Sequence, residues 1–319
     1  MEPWTQPGNG FLWIVLMGFL VTTACGLVGN YLILRRMALV GDAISHSILP
    51  GIAVAFLISG SRGSLPMFIG ALAAGAVTTV LIEVIHKKSR VKQDAAIGIA
   101  FTSLFAVGVI LISLFASKVD LDQECVLYGE IAFIPLEGMV ELAGFTLGPP
   151  SVVRMAGVTL VVALLVGLFY KELLVSSFDP ALSVSLGINS TFVHYALMAM
   201  LSVVVVSAFE AVGAILVIAM LILPGATATL LSHRFPVMLG LTVLHAALSS
   251  VLGLHLGMWL NCSLAAAMVV AGTGLFVMAW LANSGRSLMS RRVSTGEAPP
   301  DEVVHPEATA PARPRSLFP

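Results

Sequence analysis

An aspartate and a histidine four positions apart, Asp42 and His46, stand inside the apolar run Ala38-Leu39-Val40-Gly41-Asp42-Ala43-Ile44-Ser45-His46-Ser47-Ile48-Leu49-Pro50-Gly51. Residues at i and i+4 project from one face of a helix, one turn apart. A carboxylate oxygen beside an imidazole nitrogen is a donor set that divalent transition metals accept. Ionisable groups at membrane depth cost about 2.5–3.5 kcal/mol each on insertion scales, and are kept where function needs them. Pro50 has no N–H, so the carbonyl of His46 loses its helix partner and is free for a cavity, an ion or a neighbouring helix.

The elements that must hold this pair are membrane spans. The 319 residues are 58% hydrophobic and 10% charged, with a mean hydropathy of +1.00. A water-soluble domain cannot hide that much apolar surface, so the fold class is all-α, a polytopic helical bundle. The net charge of −1 points to no partner, and no nucleic-acid ligand is expected. Cys25, Cys125 and Cys262 are far apart, which excludes a disulfide framework and zinc-finger spacing. Cys25 and Cys262 read as small packing residues. The first ten residues lack the basic region of a cleaved signal, so the first apolar run reads as a retained span.

Windows of about twenty apolar residues fall near 11–33, 37–58, 65–86, 94–117, 151–171, 191–209, 211–231, 236–256 and 262–283. That reading gives nine transmembrane helices, or eight if the run from Phe192 to Leu231 is one long span and a half-helix. With the N-terminus outside, Arg35, Arg36, Lys87, Lys88, Arg90, Lys92, Lys171, Arg234, Arg286, Arg291 and Arg292 face the cytoplasm, and only Arg62, Lys118 and Arg154 face out. This asymmetry over short loops satisfies the positive-inside rule. The 119–150 connection is then external and acidic, with room for a short or re-entrant helix around Val126–Phe133. Residues 1–283 form the transmembrane domain, and the polar, proline-rich residues 284–319 read as a disordered cytoplasmic tail.

Other polar positions carry two readings each. Glu210 is either a pathway-lining acid or gate at a helix break, or an acid in a short turn at the external interface. Pro224 frees the carbonyl of Met220 and either kinks the span against a neighbour or exposes a ligand. Glu83, which precedes His86-Lys87-Lys88, is expected to snorkel to the cytoplasmic interface. His86 and His233 read as solvated, and His194, His245 and His255 as interfacial or packing residues. In the cytoplasmic segment after the fifth span, Asp179 can cap a short helix with Pro180 at its first position, and Gly187 can end it. Such a helix offers a docking surface for another subunit, or lies on the membrane surface. No Gly-Lys dipeptide occurs, so no P-loop is present.

Taken together, the chain from about Phe11 to Leu281 resembles the permease subunits of bacterial ABC importers for zinc, manganese and iron. The likeness is strongest at Met37–Gly51, where Gly41, Asp42, His46, Pro50 and Gly51 keep a fixed spacing. It extends to Lys171–Ile188, Ala211–Leu231 and the external Val119–Ile131. The resemblance implies an importer-type permease in the bacterial inner membrane, a homodimer or a heterodimer with a sister permease. It further implies cytoplasmic ATP-binding subunits that hydrolyse ATP, an extracytoplasmic metal-binding protein, and no enzyme activity or permanently bound cofactor in this chain. Asp42 and His46 would coordinate the transported ion. Phe178, Asp179, Pro180, Leu182, Leu186 and Gly187 would couple to the ATPase, and Pro50, Glu210 and Pro224 are gate or kink positions. Two rivals are a proton-coupled secondary transporter using Asp42 and Glu210, and an intramembrane metalloenzyme, which would need a third ligand and a general base.

Overall fold

A computed structural model describes residues 10–60, 64–115, 131–142 and 145–294. The first half holds four long helices, α1 (Gly10–Leu34), α2 (Leu39–Ser59), α3 (Ser64–Lys88) and α4 (Gln93–Phe115). A 3₁₀ turn at Ile131–Leu136 and an antiparallel strand pair, β1 (Val140–Leu142) with β2 (Phe145–Gly148), then lead to α5 (Pro150–Leu168). Two short helices follow, α6 (Tyr170–Phe178) and α7 (Pro180–Ser185). The chain closes with α8 (Ser190–Val212), α9 (Ala214–Leu231), α10 (Phe235–Leu260) and α11 (Leu264–Ser294).

Among the described residues, eight helices are long and apolar enough to cross a membrane, and α9 is the shorter one left over. Its packing shows which way it runs. Thr22 of α1 donates to the Met220 sulfur at 3.0 Å, and further along both helices Gly225 abuts Asn30 and Ile33. Residue numbers rise together, so α9 runs parallel to α1. Antiparallel α10 completes the group: Asn30 meets Thr242 at 2.8 Å while Gly18 abuts Ser250. In the first half, Gly51 of α2 lies on Gly70 of α3, and Ser47 meets Thr78, again antiparallel. His46 faces Phe101 while Pro50 abuts Gly108, which makes α2 and α4 parallel. Successive helices therefore alternate in direction, and α9, about 27 Å long at 1.5 Å per residue, returns the chain from one pole of the bundle to the other.

The break between α8 and α9 is one residue, Gly213, with φ 77° and ψ 166°, a backbone that glycine adopts without the clash a side chain would bring. The helix ends that the positive-inside rule assigns to the cytoplasm gather at one pole, where Arg35, Lys87, Gln93, Pro180 and Ser190 line one cavity. At the other pole Gly10 touches Pro135 and Gly148 touches Trp13. There Glu137 accepts both the N–H (3.1 Å) and the hydroxyl (2.6 Å) of Ser151, capping the start of α5.

Several local expectations change. The strand pair was not anticipated, because segments of three and four residues leave too little alternation to read. The fifth span ends at Leu168, and Tyr170 opens α6 rather than extending it. Cys25 is fully buried as expected, but Cys262 sits exposed in the turn between α10 and α11. The acidic residues Asp120, Asp122, Glu124 and Glu130 and most of the helix expected around Val126–Phe133 lie outside the described residues, as do 295–319; α11 itself continues to Ser294.

Helices in lipid gain little from the hydrophobic effect and associate through close packing of small residues. Gly29 is the tightest case, since a Cβ there would overlap the backbone carbonyl of Leu221 in α9. Gly29→Ala is therefore expected to destabilise the protein by about 1–3 kcal/mol, read as a lower unfolding midpoint in detergent. Gly240→Ala, where an added Cβ meets nothing within 4 Å, is expected to leave that midpoint unchanged.

Candidate functional site

Asp42 lies in the first turn of α2, where the helix dipole favours a carboxylate, and His46 follows one turn later. Asp42 Oδ1 and His46 Nε2 are 3.2 Å apart, with the His46 and Asp42 side chains 33% and 32% exposed. The opposite face of α2 sets this orientation. Val40, Ala43, Ile44, Ser47 and Ile48 are buried, and Thr78 of α3 donates to the Ser47 hydroxyl at 2.6 Å. With that face held against α3, residues 42 and 46 point the other way, towards α4. There Phe101 and Phe105 wall the imidazole, at ring-centroid distances of 5.9 and 6.2 Å. Pro50 lies inside α2 without ending it, covered by Gly108 of α4. Among the described residues, no group of three or more His, Cys, Asp or Glu side chains gathers where an ion could be held. The pair thus offers one oxygen and one nitrogen donor on a half-open face.

At the cytoplasmic pole α6 and α7 form a capped elbow. The Asp179 carboxylate accepts from the N–H groups of Ala181 and Leu182, both at 3.0 Å, and Pro180 takes the first helical position. Gly187, with φ 80°, turns the chain out of α7, and the Ile188 N–H closes on the Ser183 carbonyl at 2.9 Å. The elbow presents Phe178, Leu182, Val184 and Leu186 outward, all substantially exposed. So compact an apolar surface beyond the membrane ends is suited to receive a protein partner.

Glu210 is found in the last turn of α8, three residues before the Gly213 break. Alternation of the helices puts that break at the external pole. Pro224 sits inside α9 without ending it, with Gly26 of α1 packed against it. Pro224 does not join Asp42 and His46: it lies in the second half of the chain, while the pair looks towards α4.

Sequence spacing missed a second polar cluster. Arg35 donates from Nε to Ser177 and from Nη2 to Ser176, each at 3.0 Å, and its Nη1 is 3.2 Å from Nδ1 of His194. His194 Nε2 is 3.0 Å from Oε2 of Glu83, and Glu83 also pairs with Lys87. Glu83 is thus a mostly buried member of a network and does not simply reach out to the interface; His194 is neither solvated nor merely packed. Burial pulls the Arg35 guanidinium below its ordinary pKa, though such a group stays charged. These residues line a cavity of about 430 Å³ that also reaches Pro180 and Met37. Only residues within one turn can be paired from spacing, and these come from four separate elements. His245 follows the packing alternative: it is 4% exposed within α10, against Gly272 of α11, and neither ring nitrogen has a hydrogen-bond partner among the described residues.

Comparison with known proteins converges on one family. A family model described as the ABC 3 transport family matches residues 9–283. The manganese transport system membrane protein MntD of Bacillus subtilis is 44% identical over 89% of this chain and 95% of its own length. The zinc transport system membrane protein TroD of Treponema pallidum is 41% identical over 87% of this chain and 75% of its own. Among solved structures, PsaBC from Streptococcus pneumoniae in complex with Fab superposes with a TM-score of 0.70 and 34% identity, covering 86% of this chain and 92% of that one. This chain therefore belongs to the ABC 3 transport family, as a multi-pass permease subunit of an ABC transporter in the bacterial inner membrane.

Proposed function

We propose that the chain forms half of the translocation pathway of an ATP-driven importer for a divalent transition metal, Mn²⁺, Zn²⁺ or Fe²⁺, with Asp42 and His46 as its ion ligands. The observation that carries this reading is the 3.2 Å Asp42–His46 pair on a half-open face of α2, in a chain similar over most of its length to proteins named for manganese and zinc transport. One carboxylate and one imidazole are too few donors for such an ion. A second permease, identical or a sister chain, related by a two-fold axis would bring the set to four. The cargo is then held between subunits and released when the four donors move apart. Neither nitrogen nor oxygen donors at this count select strongly among the three metals, so much of the selectivity would rest with an extracytoplasmic protein that delivers the ion.

The absence of a Gly-Lys dipeptide supports ATP hydrolysis on separate cytoplasmic subunits. The capped elbow at Phe178–Gly187 is the surface we assign to them, through Phe178, Leu182 and Leu186 around the Asp179–Pro180 cap. Glu210, at the external break, and Pro50 and Pro224, where α2 and α9 lack one backbone bond each, are the candidate gate positions. A helix missing a hydrogen bond bends there with less loss.

Two measurements test this function. In vesicles carrying the permease with its ATP-binding subunits and binding protein, Asp42→Ala or His46→Ala is expected to lower ATP-dependent metal uptake by about 100-fold or more. Loss of residues that merely support metal ligands already costs 10–100-fold. Co-purification of the subunits should be unchanged, and near-normal uptake by either variant would remove the pair from the pathway. Leu182→Glu with Leu186→Glu is expected to abolish co-purification of the ATP-binding subunit while the permease itself still folds. Retained binding would mean that the ATPase docks elsewhere.

A further inference from the structure

The polar network at the cytoplasmic pole has a direction. Arginine nitrogens only donate, so the 3.2 Å contact from Arg35 requires Nδ1 of His194 to accept. His194 is then neutral with its proton on Nε2, which donates to Glu83 at 3.0 Å. Lys87 supplies the other Glu83 oxygen. The chain of bonds runs Arg35 to His194 to Glu83, and it ties four elements together. Arg35 directly follows α1, Ser176 and Ser177 belong to α6, His194 to α8, and Glu83 with Lys87 to α3.

Its two ends are the consequential part. Ser177 stands two residues before Asp179, the cap of the elbow, and both serines that hold Arg35 are buried. Arg35 in turn stands seven residues before Asp42, across a tight hydrogen-bonded turn. The Arg36 backbone is left-handed, with φ 58°, and the Met37 N–H closes on the Leu32 carbonyl at 2.9 Å. A shift of α6 is therefore delivered through the guanidinium to the base of α2, the helix that carries the Asp42–His46 pair. The bidentate fork of Arg35 suits this task, because it fixes the α6 position and orientation together.

We infer that Arg35 and His194 are positioning residues for transport, which link displacement of the α6–α7 elbow to the geometry of the Asp42–His46 pair. This rests on the importer reading above. They touch no transported ion; they act through α2.

The test uses the complete transporter in vesicles, measuring ions imported per ATP hydrolysed with Mn²⁺ and then Zn²⁺ as the probe. Arg35→Lys keeps the charge but loses the fork, and His194→Leu breaks the relay. Each is expected to lower that ratio about five-fold or more, the low end of the range for coupled sites, with ATP hydrolysis retained. His194→Gln can accept through its amide oxygen and donate through its amide nitrogen in the same polarity, so it is expected to restore the ratio. An unchanged ratio in Arg35→Lys and His194→Leu, or His194→Gln as impaired as His194→Leu, overturns the inference. A wild-type complex that hydrolyses ATP yet imports neither metal overturns the importer reading first, and this inference with it.

Discussion

Hydrocarbon offers no hydrogen-bond partner, so every backbone N–H and C=O that enters the bilayer must be satisfied within the protein. The architecture follows from that constraint. The spans are helices, and departures from the helix are confined to places where something covers them. Pro50 is covered by Gly108, Pro224 by Gly26, and the α8–α9 break is one glycine long. Hydroxyl groups meet the same demand by turning back on their own helix, as Ser45 does to Gly41, Thr159 to Met155 and Thr227 to Leu223. Because lipid tails are as apolar as leucine, helix association relies on backbones approaching closely, which accounts for glycines wherever α1, α2 and α3 meet their neighbours.

The same constraint sorts the charges into two kinds. The Arg35–His194–Glu83–Lys87 network is well paired: Arg35 is held by two serines and His194, and Glu83 receives both His194 and Lys87, so the burial of Arg35 and Glu83 is compensated. The Asp42–His46 pair is incomplete. It makes one contact within itself and leaves about a third of each side chain open beside an aromatic wall. A well-paired network holds helices in place, whereas an incomplete pair of metal-compatible donors in a membrane is suited to a ligand that arrives and departs. Their chemistry is alike, carboxylate with imidazole, and only the surroundings separate their roles.

What the sequence made legible was whatever period, composition or local spacing encodes. The spans to within a few residues, their alternation and the α7 cap at Asp179–Pro180 are all statements about neighbours along the chain, and the fold reproduces them; the division of the run 192–231 was also legible, but it falls at Gly213 rather than at Glu210. Asp42 and His46 were visible because i and i+4 share a helix face by geometry alone. Arg35 was legible only as a positive-inside marker, and His194 only as a histidine near a span end. Their bonding depends on how α1, α3, α6 and α8 pack, which no single-helix pattern contains. The β1–β2 pair escaped for the opposite reason: it is local, but too short for alternation to rise above chance.

The placement of the pair on α2 has a mechanical consequence. A side-chain atom on a helix lies roughly 5–6 Å from the helix axis, so rotating α2 by about 20° carries a ligand atom about 2 Å along its arc. Metal–ligand distances tolerate only about 0.2 Å. For the importer proposed here, assembling or dispersing a four-donor set thus requires no separation of the bundle. A partial turn of α2, small enough to keep its buried Ser47–Thr78 face within side-chain relaxation, is sufficient to change affinity completely. A helix free to rotate by itself would not hold the ion between cycles, and one welded to all its neighbours would not release it. The tight turn at Arg36 and the close approach at Gly51–Gly70 leave α2 two anchored points, with the Asp42–His46 segment between them as the part that responds.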